Sequence, residues 1–359
     1  MTEAATIVSL RARPVVVPLS RPLRTAAGAI PAAPLLLLDV TDADGVIGRA
    51  YVFGYTPITL RPLAALAESL AELVIGKPAA PSLLFDLASR QFRLLGRQGL
   101  LGMALSGLDM ALWDLLGRAV GRPVAELLGG GCRAMPAYDS FGLVDPVADR
   151  AMLEASVAQG FRAIKIKVGD GSEAADADLV RAVRDIVGPE VRLMVDFNQS
   201  QDVMSAVRRI ERLAPYDITW VEEPVAAEDF AGHARVRTAS SVPVQTGENW
   251  WFPRDMERAL AAGACDFAMP DLMKIGGVTG WVRVMGLAEA AALPLSSHLF
   301  VEASAHMLAV SPTAHFLEYL DVAGPILTAP ARPVGGLVVP RGPGLGIEWD
   351  ESALRRYAA

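Results

Sequence analysis

The chain has few cysteines and no excess of basic residues. Only Cys132 and Cys265 occur among 359 residues, which excludes a disulfide scaffold and leads us to expect a reducing cytoplasm. Nucleic-acid binding is disfavoured because the net charge is −7 and phosphate contacts need clustered Lys and Arg. The first residues lack a basic segment followed by a long apolar one, and apolar runs such as 32–38 are far shorter than a bilayer. We therefore expect no signal peptide and no membrane span.

What the chain does have is length and apolar residues. With 52% hydrophobic residues, it can bury a large core, either one barrel domain with an appendage or two to three ordinary domains. The first 60 residues are typical of β structure, with a turn at Asp42-Ala43-Asp44-Gly45. Residues 57–127 are typical of helices, most clearly 101–117, where leucines recur at helical spacing. Three glycines at 129–131 then mark a candidate domain boundary.

From about residue 135 onward, short apolar runs alternate with helical stretches. The predicted strands are 135–138, 163–168, 192–196, 219–222, 242–246, 267–270, 293–297 and 315–318. Such alternation is typical of parallel βα units, and eight of them predict a closed barrel. The last 35 residues are rich in Pro and Gly and are expected to return to the N-terminal part.

Polar residues stand at the end of nearly every predicted strand. In a barrel of this kind, catalytic residues sit at the carboxyl ends of the strands, so these side chains should converge on one mouth. They are Lys165, Lys167, Asp196, Glu222, Glu248, Asp271, His298 and Glu318.

Three of these carboxylates, Asp196, Glu222 and Glu248, come from consecutive strands. Brought together they repel one another, and a hard divalent cation relieves the repulsion. Oxygen ligands without thiolates or several histidines suit Mg²⁺ rather than zinc. The alternative is three exposed strand-end acids paired with solvent or lysine.

Two side chains are candidate bases. Lys167 needs a depressed pKa to act as one, and a neighbouring Lys165 and a metal ion would both lower it. The alternative is a solvated face of the KIK strand. His298 would lie opposite Lys167 in a closed barrel, and Asp271 could orient its imidazole. Without Asp271, this histidine would more often be structural.

These residues resemble the enolase superfamily, and within it the mandelate racemase subgroup, over essentially the whole chain. The matching segments are KIK at 165–167, VDFNQS at 195–200, VEEP at 221–224, GENW at 247–250, MPD at 269–271, MKIGGVTGW at 273–281, SSHLF at 296–300, Glu318, residues 51–57 and GLDMALWD at 107–114.

The resemblance implies an α+β capping domain (1–131), a modified TIM barrel of the (β/α)₇β type (132–324) and a C-terminal segment returning to the cap (325–359). It implies Mg²⁺, with Mn²⁺ as a substitute, on Asp196, Glu222 and Glu248. It also implies racemisation by two-base proton transfer, with Lys167 and the His298–Asp271 dyad acting on opposite faces of a carboxylate substrate. Lys165 and a protonated Glu318 would stabilise the charge that develops on the carboxylate, with Asn198 and Lys274 supporting them. The implied assembly is a homo-oligomer, an octamer.

By the same resemblance, two loops of the capping domain close over the substrate. The apolar side chains of the pocket favour a phenyl or other hydrophobic group. The implied substrate contacts are Leu23, Ala27, Ile30, Phe53, Tyr55, Leu94, Ser140, Leu299 and Leu320. Two departures lie at the mouth: Arg24 replaces a histidine of the pattern, and Phe141-Gly142 replaces polar residues after Ser140. They leave the base pair intact and bear on substrate identity.

The leading interpretation is racemisation of an aryl or hydrophobic 2-hydroxy acid. Its main rival is an acid-sugar dehydratase, which starts with the same proton abstraction and then expels a β-hydroxyl group with His298 as the acid. A non-enzymatic barrel is disfavoured because the full set of acids and bases is present. The barrel fold by itself does not decide between these functions.

Overall fold

A three-stranded antiparallel sheet opens the chain in the computed structural model, which describes residues 5–25 and 28–359. Its strands lie in the order β1 (Ile7–Thr25), β2 (Gly28–Asp42) and β3 (Ile47–Phe53). The β2–β3 turn forms where the sequence predicts it, since Asp42 Oδ1 accepts from the amides of Asp44 and Val46. This sheet is the β layer of the capping domain.

Helices cover one side of that sheet. They are α1 (Leu60–Ser69), α2 (Ala71–Val74), α3 (Pro81–Gln91), α4 (Leu100–Ala119) and α5 (Val124–Leu127). Helix α4 is long and apolar enough to cross a membrane by length and composition, which the sequence analysis did not expect of any segment. It is 83% buried over its most apolar window and packs against β2 and β3, so its hydropathy reflects a position in the core.

The second half of the chain forms a parallel barrel. Its strands are β4 (Met135–Ser140), β5 (Ala163–Lys167), β6 (Arg192–Asp196), β7 (Ile218–Glu222), β8 (Val244–Thr246), β9 (Phe267–Ala268) and β10 (Leu317–Tyr319). Its helices are α6 (Arg150–Ala158), α7 (Glu173–Val187), α8 (Val203–Leu213), α9 (Phe230–Ala239), α10 (Phe252–Ala262), α11 (Leu272–Ile275), α12 (Gly277–Ala290) and α13 (Val301–Val310). Strands β4 to β9 pair in chain order and β10 returns beside β4. The fold class expected from the sequence, a (β/α)₇β barrel with an α+β cap, is confirmed.

The predicted strand at 293–297 is the one that does not form a regular strand. Leu295 makes single parallel bridges to Ala268 on one side and Ala314 on the other, and these close the barrel between β9 and β10. Pro294 has no N–H to donate, which limits the ladder. Beyond His298, Leu299 and Phe300 take left-handed backbone conformations (φ 50° and 49°) that end the extended run.

The barrel interior is filled by aromatic rings. Tyr138 and Trp220 pack edge to face with ring centroids 5.7 Å apart, and Phe316 lies against both. The Lys165 ammonium lies 5.3 Å from the Tyr138 ring. The charged side chains at the strand ends therefore lie against a layer of aromatic rings inside the barrel.

The last residues run back over both halves. Strand β11 (Leu337–Val338) pairs antiparallel with β4, and α14 (Glu351–Tyr357) lies near β1 through an Arg13–Glu351 ion pair of 2.9 Å. Trp349 Nε1 donates to Asp39 Oδ1 at 2.7 Å. These contacts accord with a C-terminal segment that returns to the cap; the boundaries 1–131, 132–324 and 325–359 stay a prediction.

Candidate active site

A cavity of about 120 Å³ lies between the capping sheet and the mouth of the barrel. Most of the residues singled out from the sequence line it. These are Leu23, Ile30, Phe53, Tyr55, Ser140, Lys165, Lys167, Asp196, Asn198, Glu248, His298, Leu299, Glu318 and Leu320. Glu222 and Asp271 lie behind this lining, fully buried, and Lys274 is in contact with Tyr55.

The strand register brings the charged side chains together. Lys167 is paired with Asp196 across β5 and β6, and Asp196 with Glu222 across β6 and β7. Lys165 and Lys167 are two residues apart and so point to the same side of β5. Lys165 Nζ lies 2.5 Å from Glu222 Oε1 and 2.9 Å from Glu318 Oε1, and Lys167 Nζ lies 2.5 Å from Asp196 Oδ2. The result is a buried, alternating array of acids and bases.

Three of the acids are the predicted metal ligands. Asp196, Glu222 and Glu248 are all buried, and burial together with the neighbouring carboxylates raises the pKa of Glu222 to about 8, although Lys165 opposes this. Within residues 5–25 and 28–359, no group of three or more Asp, Glu, His or Cys side chains is already arranged to hold a metal ion. Instead, the ammonium groups of Lys167 and Lys165 form ion pairs with Asp196 and Glu222. The donor chemistry, hard oxygens that repel one another at the ends of neighbouring strands, still fits a hard divalent cation.

His298 and Asp271 form a buried dyad. His298 Nδ1 lies 2.6 Å from Asp271 Oδ2, while Asp271 Oδ1 accepts from the Met273 amide at 2.6 Å. The other ring nitrogen, Nε2, faces the cavity acids, 3.3 Å from Glu248 Oε2. Burial lowers the pKa of His298, but Glu248, Glu318 and Asp271 outweigh it and raise the pKa to about 9. The imidazole is thus oriented and carries a proton toward the cavity.

Among the protein groups alone, two pKa directions are opposite to those expected of the site with a metal ion bound. The pKa of Lys167 is raised rather than depressed: burial and Lys165 lower it, but the ion pair with Asp196 outweighs both. The pKa of Glu318, which was expected to be protonated, is lowered rather than raised. Burial alone would raise its pKa, but Lys165 and His298 outweigh burial and lower the pKa to about 2. Sequence spacing gave the neighbours of these groups but not which charge would dominate.

Glu318 accepts hydrogen bonds from two directions. Ser140 Oγ donates to its Oε1 at 2.7 Å, and the Leu299 amide donates to its Oε2 at 3.0 Å. The left-handed backbone at Leu299 and Phe300 accompanies this amide contact. Ser140 therefore orients Glu318 in this structure.

Asn198 adjoins the acids through its backbone, and Lys274 adjoins them through Asn249; their supporting roles stay a prediction. The backbone N–H of Asn198 donates to Asp196 Oδ1 at 2.7 Å. Lys274 Nζ donates to Asn249 Oδ1, and Asn249 Nδ2 donates to Glu223 Oε2 at 2.7 Å and to Glu248 Oε1 at 3.1 Å. Sequence reasoning assigned no role to Asn249 or Glu223, although both stand inside the GENW and VEEP segments beside predicted ligands.

The wall opposite the charges is apolar. Leu23 and Ile30 come from the β1–β2 hairpin, and the Phe53 ring packs against that of Tyr55 with centroids 4.9 Å apart and planes tilted by 51°. Sequence reasoning missed Leu19 and Val322, which also line the cavity; Val322 lies two residues after Leu320.

Two predicted substrate contacts are not found there. Leu94 follows α3, is fully exposed and does not line the cavity, so its assignment to this chain's pocket is wrong. An exposed turn carries it away from the barrel mouth. Ala27 lies outside the described residues.

Two family descriptions match most of the chain. "Mandelate racemase / muconate lactonizing enzyme, N-terminal domain" matches residues 7–129, and "Enolase C-terminal domain-like" matches residues 148–353. The fold is similar to the crystal structure of an enolase from Bradyrhizobium complexed with magnesium and mandelic acid. That chain is 53% identical, with a TM-score of 0.98 and full coverage of both chains.

Among characterised relatives, D-galactarolactone cycloisomerase from Agrobacterium fabrum is 34% identical, with 90% of each chain covered. L-talarate/galactarate dehydratase from Salmonella typhimurium is 32% identical, covering 72% of this chain and 66% of the relative. These relatives catalyse different reactions, so overall similarity does not select one of them.

Proposed function

The chain belongs to the mandelate racemase and muconate lactonizing enzyme family of the enolase superfamily, and from this we propose that it racemises an aryl or other hydrophobic 2-hydroxy carboxylate such as mandelate. At the coarser level, it is an enzyme of that superfamily, whose chemistry begins with removal of the proton next to a carboxylate. The observation that carries the finer proposal is the pairing of two oriented bases with an apolar wall in one cavity.

The residues that would hold Mg²⁺, or Mn²⁺ in its place, are Asp196, Glu222 and Glu248. Their fit rests on the hard oxygen donors and on the raised pKa of Glu222, which comes first from burial and then from repulsion by the neighbouring acids. When bound, the cation supplies stabilisation of the negative charge that develops on the substrate carboxylate.

Proton transfer is assigned to Lys167 and His298. The carboxylates that raise the pKa values of these two side chains most, Asp196 and Glu248, are proposed metal ligands; with their charge neutralised by Mg²⁺, either side chain could give up its proton and act as a base. Lys167 comes from the second barrel strand and His298 from the seventh β segment, so they approach the cavity from opposite sides. Each would take the α-proton from one enantiomer, and the conjugate acid of the other would deliver a proton to the opposite face. The 2.6 Å contact with Asp271 keeps Nε2 of His298 directed at the cavity.

Lys165 is assigned to the substrate carboxylate. Its ammonium is buried and already lies among carboxylate oxygens, which is the environment that a substrate carboxylate would join. Glu318, as a carboxylate, would hold Lys165 and His298 in place through its ion pairs, with Ser140 fixing its orientation.

The second candidate is an acid-sugar dehydratase, favoured by the dehydratase and cycloisomerase relatives. His298, with its raised pKa, is placed to protonate a leaving hydroxyl group. However, a sugar acid needs polar partners along its length, and the distal lining formed by Leu19, Leu23, Ile30, Phe53, Leu299, Leu320 and Val322 offers apolar carbon.

Product analysis separates these two functions. Magnesium-loaded protein is incubated with (R)-mandelate and, separately, with galactarate; optical rotation and keto-acid formation are followed. We expect rotation to be lost from mandelate and no keto acid from galactarate. Keto acid from galactarate with unchanged mandelate would replace the racemase proposal with the dehydratase.

Metal removal is a second test of the same site. Because no cation would then stabilise the charge that develops on the substrate carboxylate, we expect excess chelator to abolish activity and added Mg²⁺ to restore it. Full activity in excess chelator would refute the assignment of Asp196, Glu222 and Glu248.

We also propose that the enzyme works in the cytoplasm as a homo-oligomer, octameric by family resemblance. Free thiols at Cys132 and Cys265 suit a reducing compartment, and Leu94 and Leu95 are two adjacent exposed leucines that a second subunit would cover. Light scattering on the purified protein measures the assembly directly.

A further inference from the structure

The β1–β2 hairpin of the cap is attached to the end of barrel strand β4 by an unusual set of contacts. Arg21 donates to Asp139 Oδ1 at 2.7 Å and Oδ2 at 3.3 Å, and a third N–H donates to the Ser140 carbonyl at 2.7 Å. Its guanidinium carbon also lies 3.8 Å from the centroid of the Phe141 ring. One side chain of the cap thus contacts three consecutive residues of the barrel.

A second arginine continues the attachment. Arg24 pairs with Asp149, and the Arg24 carbonyl accepts from the Leu143 amide at 2.8 Å. Gly142 is needed at this point because a Cβ there would lie 2.3 Å from the Arg24 carbonyl oxygen. The two departures noted in the sequence, Arg24 and Phe141-Gly142, are therefore two sides of one contact.

Leu23 lies between these anchors and lines the substrate cavity. The contacts of Arg21 and Arg24 fix the backbone on either side of it. On the barrel side, the same contacts reach Ser140, whose hydroxyl group orients Glu318. The attachment thus joins the apolar wall to the polar floor of the site.

We infer that Arg21 is a positioning residue: it holds the hairpin against β4 so that Leu23 is in place to contact the hydrophobic group of the substrate. This inference rests on the proposed function for its substrate, although the attachment itself is independent of it. A bidentate pair that is also stacked on a ring requires the planar guanidinium, so lysine would replace it poorly.

The test compares the steady-state kinetics of Arg21→Ala with those of the wild type on mandelate. Lys167 and His298 make no contact with Arg21 among the interactions described, so kcat should stay within about threefold while KM rises about tenfold or more. Arg21→Lys should shift KM in the same direction, by less. If Asp139 is the partner through which Arg21 acts, Asp139→Asn should resemble Arg21→Ala, and the double variant should be no worse than either single one.

Arg13→Ala is the matched control. Arg13 also lies on β1, pairs with Asp39 of β2 at 2.8 Å and joins the cap to α14 through Glu351 at 2.9 Å, but it does not line the cavity. Its variant should keep the wild-type KM. An unchanged KM in Arg21→Ala, a fall in kcat alone, or the same KM rise in Arg13→Ala would overturn the inference.

Hydrogen–deuterium exchange keeps the two proposals distinguishable. If the wild type acts on no 2-hydroxy acid, the racemase proposal fails, and exchange alone tests the attachment. Peptides covering 18–25 and 140–149 should exchange faster in Arg21→Ala than in the wild type or Arg13→Ala. Equal exchange in all three proteins would overturn the positioning role of Arg21.

Discussion

At the residue scale, the chemistry depends on which neighbour decides each charge. Lys165 and Lys167 sit two residues apart on β5, yet each is held by a different carboxylate, Glu222 and Asp196. Sequence spacing predicts this gathering because parallel strand ends converge. It could not predict that the pKa of Glu318 would be lowered, since that depends on Lys165 and His298 approaching it in three dimensions.

A residue-scale prediction separates the two bases. In Lys167→Ala, α-proton exchange from one enantiomer of the substrate should fall by about a thousandfold or more, because one general base is lost. Exchange from the other enantiomer should be partly retained through His298. Proton NMR in D₂O, with each enantiomer incubated separately, measures both rates. His298→Asn is the matched variant and should show the opposite selectivity; equal losses for both enantiomers in either variant would contradict separate face-selective bases.

At the element scale, the cap is shaped by the close approach of β3 to α4. A Cβ on Gly48 would lie 2.2 Å from the Ala111 carbonyl oxygen and 2.5 Å from Leu115 Cβ. Leucine spacing predicts α4 and the alternating early segments predict the sheet, but neither reveals this approach. The absence of a regular strand at 293–297 is likewise not visible in hydropathy. Pro294 has no N–H to donate, and Leu295 makes only single bridges to Ala268 and Ala314.

Gly48→Ala should therefore destabilise the protein by about 1–3 kcal/mol, because overpacking displaces α4 from the sheet. Gly286→Ala is the control, since nothing lies within 4 Å of a Cβ at that exposed position in α12. That substitution should stabilise by up to about 1 kcal/mol through helix propensity. Urea unfolding of both variants measures the difference; a Gly48→Ala variant as stable as the wild type would contradict the close contact.

At the scale of the whole molecule, His306 ties the cap, the barrel and the C-terminal segment together. It lies in barrel helix α13, its Nδ1 accepts from the Ala125 amide at 3.3 Å, and its Nε2 donates to the Arg341 carbonyl at 2.7 Å. These bonds require the neutral ring, and burial lowers the pKa of His306 to about 4.

The sign of the pH dependence follows from that pKa. Below about pH 6.5 the unfolded chain binds a proton that the folded His306 resists, so the free energy of unfolding should fall by about 2 kcal/mol between pH 7 and pH 5 from this residue. His306→Gln should remove that share of the slope even if it lowers stability overall. Urea unfolding at several pH values, with chelator present, tests this; an unchanged slope in the variant would contradict the neutral, buried ring.

Two buried carboxyl groups act in the opposite direction over much the same pH range. Burial raises the pKa of Asp109 to about 7 and that of Asp114 to about 6, against the hydrogen bonds that lower them. Their contribution to stability is present below about pH 4 and is lost as the pH rises through those values.

The central claim, that two bases exchange the α-proton of a hydrophobic 2-hydroxy acid from both faces, is tested most directly in D₂O. Magnesium-loaded wild-type protein is incubated with (R)- and with (S)-mandelate, and polarimetry and NMR follow optical rotation and α-deuterium. The account predicts that both samples lose rotation and gain deuterium at the α-carbon. Unchanged rotation without deuterium, from folded and metal-loaded protein, would contradict it.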